Sequence, residues 1–135
     1  MRRLAVTIIG ALALAFAAAT PAFAGAPHFV GDPVLSVSGG TATVTAKEAG
    51  LGDEPQIVVN VSGTAQCVNP GNQDPQAANK VSFDQSFTEP VQNGHADYTV
   101  SVTPAFQPAC SPPMSLTFDV TLTDVTNGLT VELGP

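Results

Sequence analysis

From about residue 35 onward the chain alternates apolar and polar side chains with a period of two. Leu35 and Val37 alternate with Ser36 and Ser38, and Ala42, Val44 and Ala46 with Thr41, Thr43, Thr45 and Lys47. The same rhythm returns in Tyr98, Val100 and Val102, in Leu116, Phe118, Val120 and Leu122, and in Leu129, Val131 and Leu133. Two further sets are less regular. Val58 makes the Ile57, Val59, Val61 segment apolar on both faces, and Gln85 interrupts Val81, Phe83 and Phe87. Alternation of this kind puts one face of a strand on a core and the other in water, and the Val and Thr content suits a pleated, half-buried surface. No stretch beyond the first 24 residues carries a 3.6-residue period.

Turn chemistry falls between these segments. Gly39-Gly40, Asn93-Gly94 and Asn127-Gly128 are hairpin signals, and the two Asn-Gly pairs suit the positive φ angles of a type I′ turn. Most of the 12 prolines lie between the alternating runs. About seven short strands with regular turns predict an all-β fold, an immunoglobulin-like β-sandwich of about seven strands, with a small closed barrel as the alternative.

The amino terminus follows another rule. Arg2 and Arg3 precede an uncharged run, Leu4 to Ala19, and then Thr20-Pro21-Ala22-Phe23-Ala24. Small residues at Ala22 and Ala24 fit a signal-peptidase site, so residues 1–24 read as a signal peptide cut before Gly25. The run is shorter than the roughly 20 apolar residues that a membrane span needs. Cleavage leaves residues 25–135, 111 of the 135, as a single domain. It also removes both arginines. Lys47 and Lys80 then face all 11 acidic residues, so the net charge goes from −7 to 2 − 11 = −9. That surface repels phosphate backbones and argues against a nucleic-acid partner.

Export changes the meaning of the two cysteines. In an oxidising compartment Cys67 and Cys110 read as a disulfide rather than a redox or metal pair, since no Cys-x-x-Cys is present. Closing such a loop stabilises by ~4 kcal/mol in the chain-entropy model. Each cysteine belongs to a long connection, residues 67–79 and 104–113, and a bridge would bring both to one pole. Loops on a rigid sandwich are common binding sites. The candidate binding loop here is Phe106, Pro108, Pro112 and Pro113, with Phe106 either exposed for a ligand or capping the core.

Catalytic and metal chemistry find little support. The histidines are His28, expected in a mobile amino-terminal segment, and His95, beside the Asn93-Gly94 turn. No Gly-x-Ser-x-Gly elbow is present. Asp53, Glu54 and Asp74 are turn acids, either solvated or ligands for calcium. Asn60-Val61-Ser62 matches a glycosylation sequon. The expectation is a protein without a cofactor or catalytic site.

Two resemblances add to this reading. Ala49-Gly50-Leu51-Gly52, the segment Cys67-Val68-Asn69-Pro70-Gly71-Asn72 and the stretch Ala26 to Pro33 resemble small secreted actinobacterial proteins of unknown function. That resemblance implies export and a β-rich domain. The order Ala49-Gly50-Leu51, Cys67, then Asn93-Gly94-His95-Ala96 before a Thr/Val strand is similar to neocarzinostatin-like apoproteins, although this chain has one cysteine pair where that family has two. It implies a cleft for a small ligand. The expected function is therefore a secreted protein-interaction or envelope-associated module, whose partner is either an unknown protein or, in the carrier alternative, a small apolar ligand. Intact-mass measurement of the exported chain should find Gly25 as its first residue and a mass two hydrogens below that of the reduced form.

Overall fold

The computed structural model describes residues 25–69, 80–111 and 113–134. The expected signal peptide with Ala22 and Ala24 lies outside them, as do Asp74 and Pro112, while Gly25 is the first residue described. Eight strands and no helix occur among the described residues. They are β1 (His28–Phe29), β2 (Val34–Ser38), β3 (Thr41–Ala49), β4 (Gln56–Val68), β5 (Lys80–Pro90), β6 (His95–Val102), β7 (Ser115–Asp124) and β8 (Leu129–Leu133).

Two antiparallel sheets form. In the first, which we call sheet A, β3 is central; β1 and β2 share one of its edges, and β6 takes the other. Sheet B runs β5-β4-β7-β8. The inner faces enclose one apolar core, the layering of a β-sandwich. Ala42, Val44 and Ala46 come from β3, Tyr98, Val100 and Val102 from β6, and both sets are buried. Ile57, Val59 and Val61 of β4 meet Val120 and Leu122 of β7 from the other layer.

Alternation therefore states which side of each strand is inward. It does not state the space left between neighbours. At Gly63, midway along β4, φ is +154° and a Cβ would lie 1.9 Å from the Asp119 carbonyl oxygen of β7. The inner side of that region is filled by Phe83, paired with Gly63, and Phe118, paired with Ala65. Their rings lie 6.1 Å apart at 58°. Small residues on β4 thus make room for an aromatic pair supplied by its two neighbours.

Two local expectations change. His28 was expected in a mobile segment, yet it pairs with Ala49 as part of β1, and Phe29 beside it packs against the core. The turn at Asn127-Gly128 is wider than a type I′ pair. It spans residues 125–128, with Gly128 alone at positive φ, because Asp124 Oδ1 accepts the N–H groups of Thr126 and Asn127 and starts the turn earlier. Asn93-Gly94 does take positive φ at both residues, 52° and 75°. Gly63→Ala is expected to destabilise the fold by about 2 kcal/mol or more through the β4–β7 clash, read as a lower denaturant midpoint.

Candidate functional site

The connections gather at two ends of the sandwich. At one end are the Gly39-Gly40 turn, the end of β4 and the β6–β7 connection. Here Cys67 and Cys110 are bonded, with Cα atoms 5.8 Å apart. Phe106 is half-buried and packs against the core, while Pro108 and Pro113 are exposed. A shallow cavity of about 180 Å³ lies between Gly39-Gly40 and Phe106, Ala109, Cys110 and Leu116. That is below the usual range of about 300–1,000 Å³ for ligand sites. The ring that was the best exposed aromatic candidate is turned inward, so the loop presents proline more than aromatic surface.

The opposite end holds acids that the alternation places inside. Glu48 is in phase with Ala42, Val44 and Ala46 on β3, and Asp124 is in phase with Val120 and Leu122 on β7; both are fully buried. The Tyr98 hydroxyl donates to Glu48 Oε1 at 2.5 Å. The other Glu48 oxygen has no donor from a neighbouring residue. Burial, with Asp124 beside it, pushes the Glu48 pKa up to about 7, against the Tyr98 hydrogen bond that lowers it. A proton retained on Glu48 would give that oxygen a bond toward Asp124, in line with the raised pKa. Asp124 is otherwise held by the N–H groups of Thr126 and Asn127 and by Asn127 Nδ2 at 2.7 Å. Asn127 Nδ2 also donates to Glu54 Oε2 at 3.1 Å. Tyr98 is pushed up as well, by burial first and then by its bond to Glu48. This cluster joins sheet A to sheet B. Glu48 and Asp124 have no exposed surface through which a substrate could reach them.

The remaining candidates stay apart. Glu54 is half-buried in the bond to Asn127, and Asp53 is exposed in the same turn. His28 and His95 both pair with Ala49, on opposite edges of β3. The Nδ1 of His28 is 2.8 Å from the Ala26 carbonyl. A polar recess beside His95 is lined by Pro90, Gln92, Asn93 and Asp97, with no Ser, Thr or Cys among them. Among the described residues no three metal-ligating side chains come together.

A mainly apolar recess lies on the outer face of sheet A, where sequence reasoning placed none. Val30 N–H still bonds the Lys47 carbonyl. The chain then leaves β3 at Gly31, whose φ is +73°, passes Asp32 and Pro33, and rejoins it where Val34 pairs with Thr45. Four residues on one strand therefore oppose two on the other. The gap is an open groove of about 400 Å³. Its rim carries Val30 and Val34, 44% and 59% exposed, with Asp32 between them. Its floor includes the Lys47–Asp97 ion pair, 3.3 Å long. Next to it, cross-strand hydroxyl pairs join β3 and β6: Thr41 with Thr103, Thr43 with Ser101 and Thr45 with Thr99, at 2.8–3.2 Å.

No protein-family model, curated protein or solved structure matches the chain.

The carboxyl cluster makes stability depend on pH with a defined sign. Folded Glu48 keeps its proton up to about pH 7, whereas an unfolded glutamate loses it near 4.5. Its contribution is complete below pH 4.5 and is lost as pH rises through 7. Glu48→Gln preserves a donor for Asp124 and an acceptor for Tyr98 without titrating. The melting temperature of the variant relative to the parent should therefore rise by about 10 °C between pH 5 and pH 8. A constant difference would show that Glu48 is ionised in the fold.

Proposed function

We propose that this chain is a secreted, non-enzymatic β-sandwich that acts outside the cytoplasm by binding another protein, either free or at the cell envelope. The strand order supports an immunoglobulin-like arrangement. Consecutive strands β3 and β4 lie in opposite sheets, β6 returns beside β3, and β7 returns beside β4. The bonded cysteine pair suits an oxidising compartment. Among the described residues no helix is long and apolar enough to cross a membrane.

The observation that carries the binding reading is the groove on sheet A. Its two rim valines are among the few large apolar side chains left exposed, and Val37 lies on the same short strand as Val34. Clustered exposure of this kind, on a surface otherwise dressed in Thr, Ser and acids, marks an interaction site. Enzymatic readings gain nothing from the buried carboxyls, which are closed to substrate, or from the His95 recess, which offers no nucleophile.

A second reading, a carrier for a small apolar ligand, draws on one observation. The groove, at about 400 Å³, falls within the size range of small-molecule sites. The two readings part in one experiment. A photo-crosslinking residue is placed at Val34, and in a control at Val125, which is exposed at the β7–β8 turn. Each chain is then expressed in its own host. Protein binding predicts a discrete protein adduct from position 34 and none from 125. A bare chain at both positions, together with a reproducible small non-covalent mass in the native spectrum, would replace the protein-binding reading with the carrier.

A further inference from the structure

The four open edges of the two sheets are not alike. On sheet B, β5 carries Lys80, Asp84, Glu89 and a terminal Pro90, and β8 carries Glu132. On sheet A, β6 carries His95 and Asp97. Charges and proline are the devices that keep an edge strand from pairing with a foreign chain. Strand β2, Val-Leu-Ser-Val-Ser, has neither. Among the described residues it pairs with β3 on one side only, so every second backbone N–H and C=O points outward. Its two exposed valines lie on opposite faces. Val34 shares the outer face with Thr45, and Val37 the inner face with Ala42, yet Val37 is 43% exposed. A strand laid along this edge would gain main-chain hydrogen bonds and one apolar contact on each face.

Charge selects the occupant. Asp32 stands at the start of this edge, on the rim of the groove, and makes no ion pair among the described residues. The nearby cation, Lys47, is already matched with Asp97. A second copy of this chain would bring another net-negative molecule to Asp32, with Lys80 its one lysine outside an ion pair among the described residues. An extended segment with an apolar and a basic residue two positions apart, on one face, satisfies all three features. Its backbone pairs with β2, its apolar side chain lies on Val34, and its Lys or Arg reaches over Val30 to Asp32.

Resting on the protein-binding reading above, we infer that β2 is a docking edge for a basic, extended segment of a partner protein, which joins sheet A as an additional strand. Recognition of this type takes affinity from main-chain bonds and specificity from the alternate side chains.

The test uses the disulfide-bonded exported chain and a nine-residue peptide of alternating valine and threonine with lysine at both ends and at the centre. Two control peptides accompany it. One carries glutamate for lysine, and one is N-methylated at alternate amides along the edge that would pair. The lysine peptide should bind and slow hydrogen exchange at the outward amides of Leu35 to Ser38. N-methylation should weaken binding at least about tenfold by removing strand hydrogen bonds. The glutamate peptide should not bind, and Asp32→Asn should weaken the lysine peptide several-fold while leaving the melting temperature unchanged. Equal binding of the N-methylated peptide would overturn strand addition, and equal binding of the glutamate peptide would overturn the basic partner. A free chain that sediments as a dimer with β2 amides already protected would assign the edge to a second copy instead. If position 34 captures a protein but no peptide binds, the protein-binding reading stands and strand addition falls.

Discussion

Strand β4 is hydrogen-bonded along most of its length to β5 on one side and to β7 on the other. A slip of one residue would turn Ile57, Val59 and Val61 outward and expose the centre of the core. Its register is therefore the constraint on which sheet B depends, and Gly63 is where that register is physically keyed. The backbone of β7 comes so close there that no side chain fits, and the rings of Phe83 and Phe118 occupy the space on the inner side. Any shift of β7 would push a residue with a Cβ against the Asp119 carbonyl. Packing and backbone approach thus select the same alignment as the hydrophobic pattern.

The two ends of the sandwich close in different ways. One is tied covalently, with Cys67 at the end of β4 bonded to Cys110 in the β6–β7 connection and Phe106 tucked against the core. The other is closed by polar groups that cross between the layers. Glu48 from sheet A and Asp124 from sheet B are sealed from water, with Tyr98 serving one and the β7–β8 turn serving the other. Such groups are tolerable inside only when each lone pair and proton is matched. The Glu48 oxygen without a neighbouring donor departs from that condition, and the raised pKa of Glu48 goes with it. The arrangement also explains why the last turn departs from a simple Asn-Gly hairpin, since Asp124 serves the turn and the inter-sheet contact together.

Much of this was legible in the residue pattern, and the exceptions share a cause. Strands β2 to β8 each contain one of the alternating segments, because half-buried strands write their inward face directly into the sequence, but β4 runs on to Val68 and takes Cys67 and Val68 out of the expected connection 67–79. Strand β1 is too short to alternate, and it lies between Pro27 and Pro33. Glu48 and Asp124 were overlooked although a signal existed: each falls on the inward phase of its strand, where a carboxyl is out of place. The groove had no comparable signal. It exists because β1 and β2 meet the same edge of β3 with unequal lengths of chain between them, which is a fact about pairing partners and not about any single residue.

The covalent tie also settles how the molecule would carry mechanical load. Cys67 and Cys110, 43 positions apart, bound a closed ring that includes β5 and β6. Tension applied to the two termini passes across the sulfur–sulfur bond and bypasses that ring. Even with both sheets pulled apart, the ring adds no contour length, and only the arms running from it to the termini can extend. Strands β5 and β6 are thereby shielded from stretching force. The groove edge β2, in the amino-terminal arm, lies directly in its path.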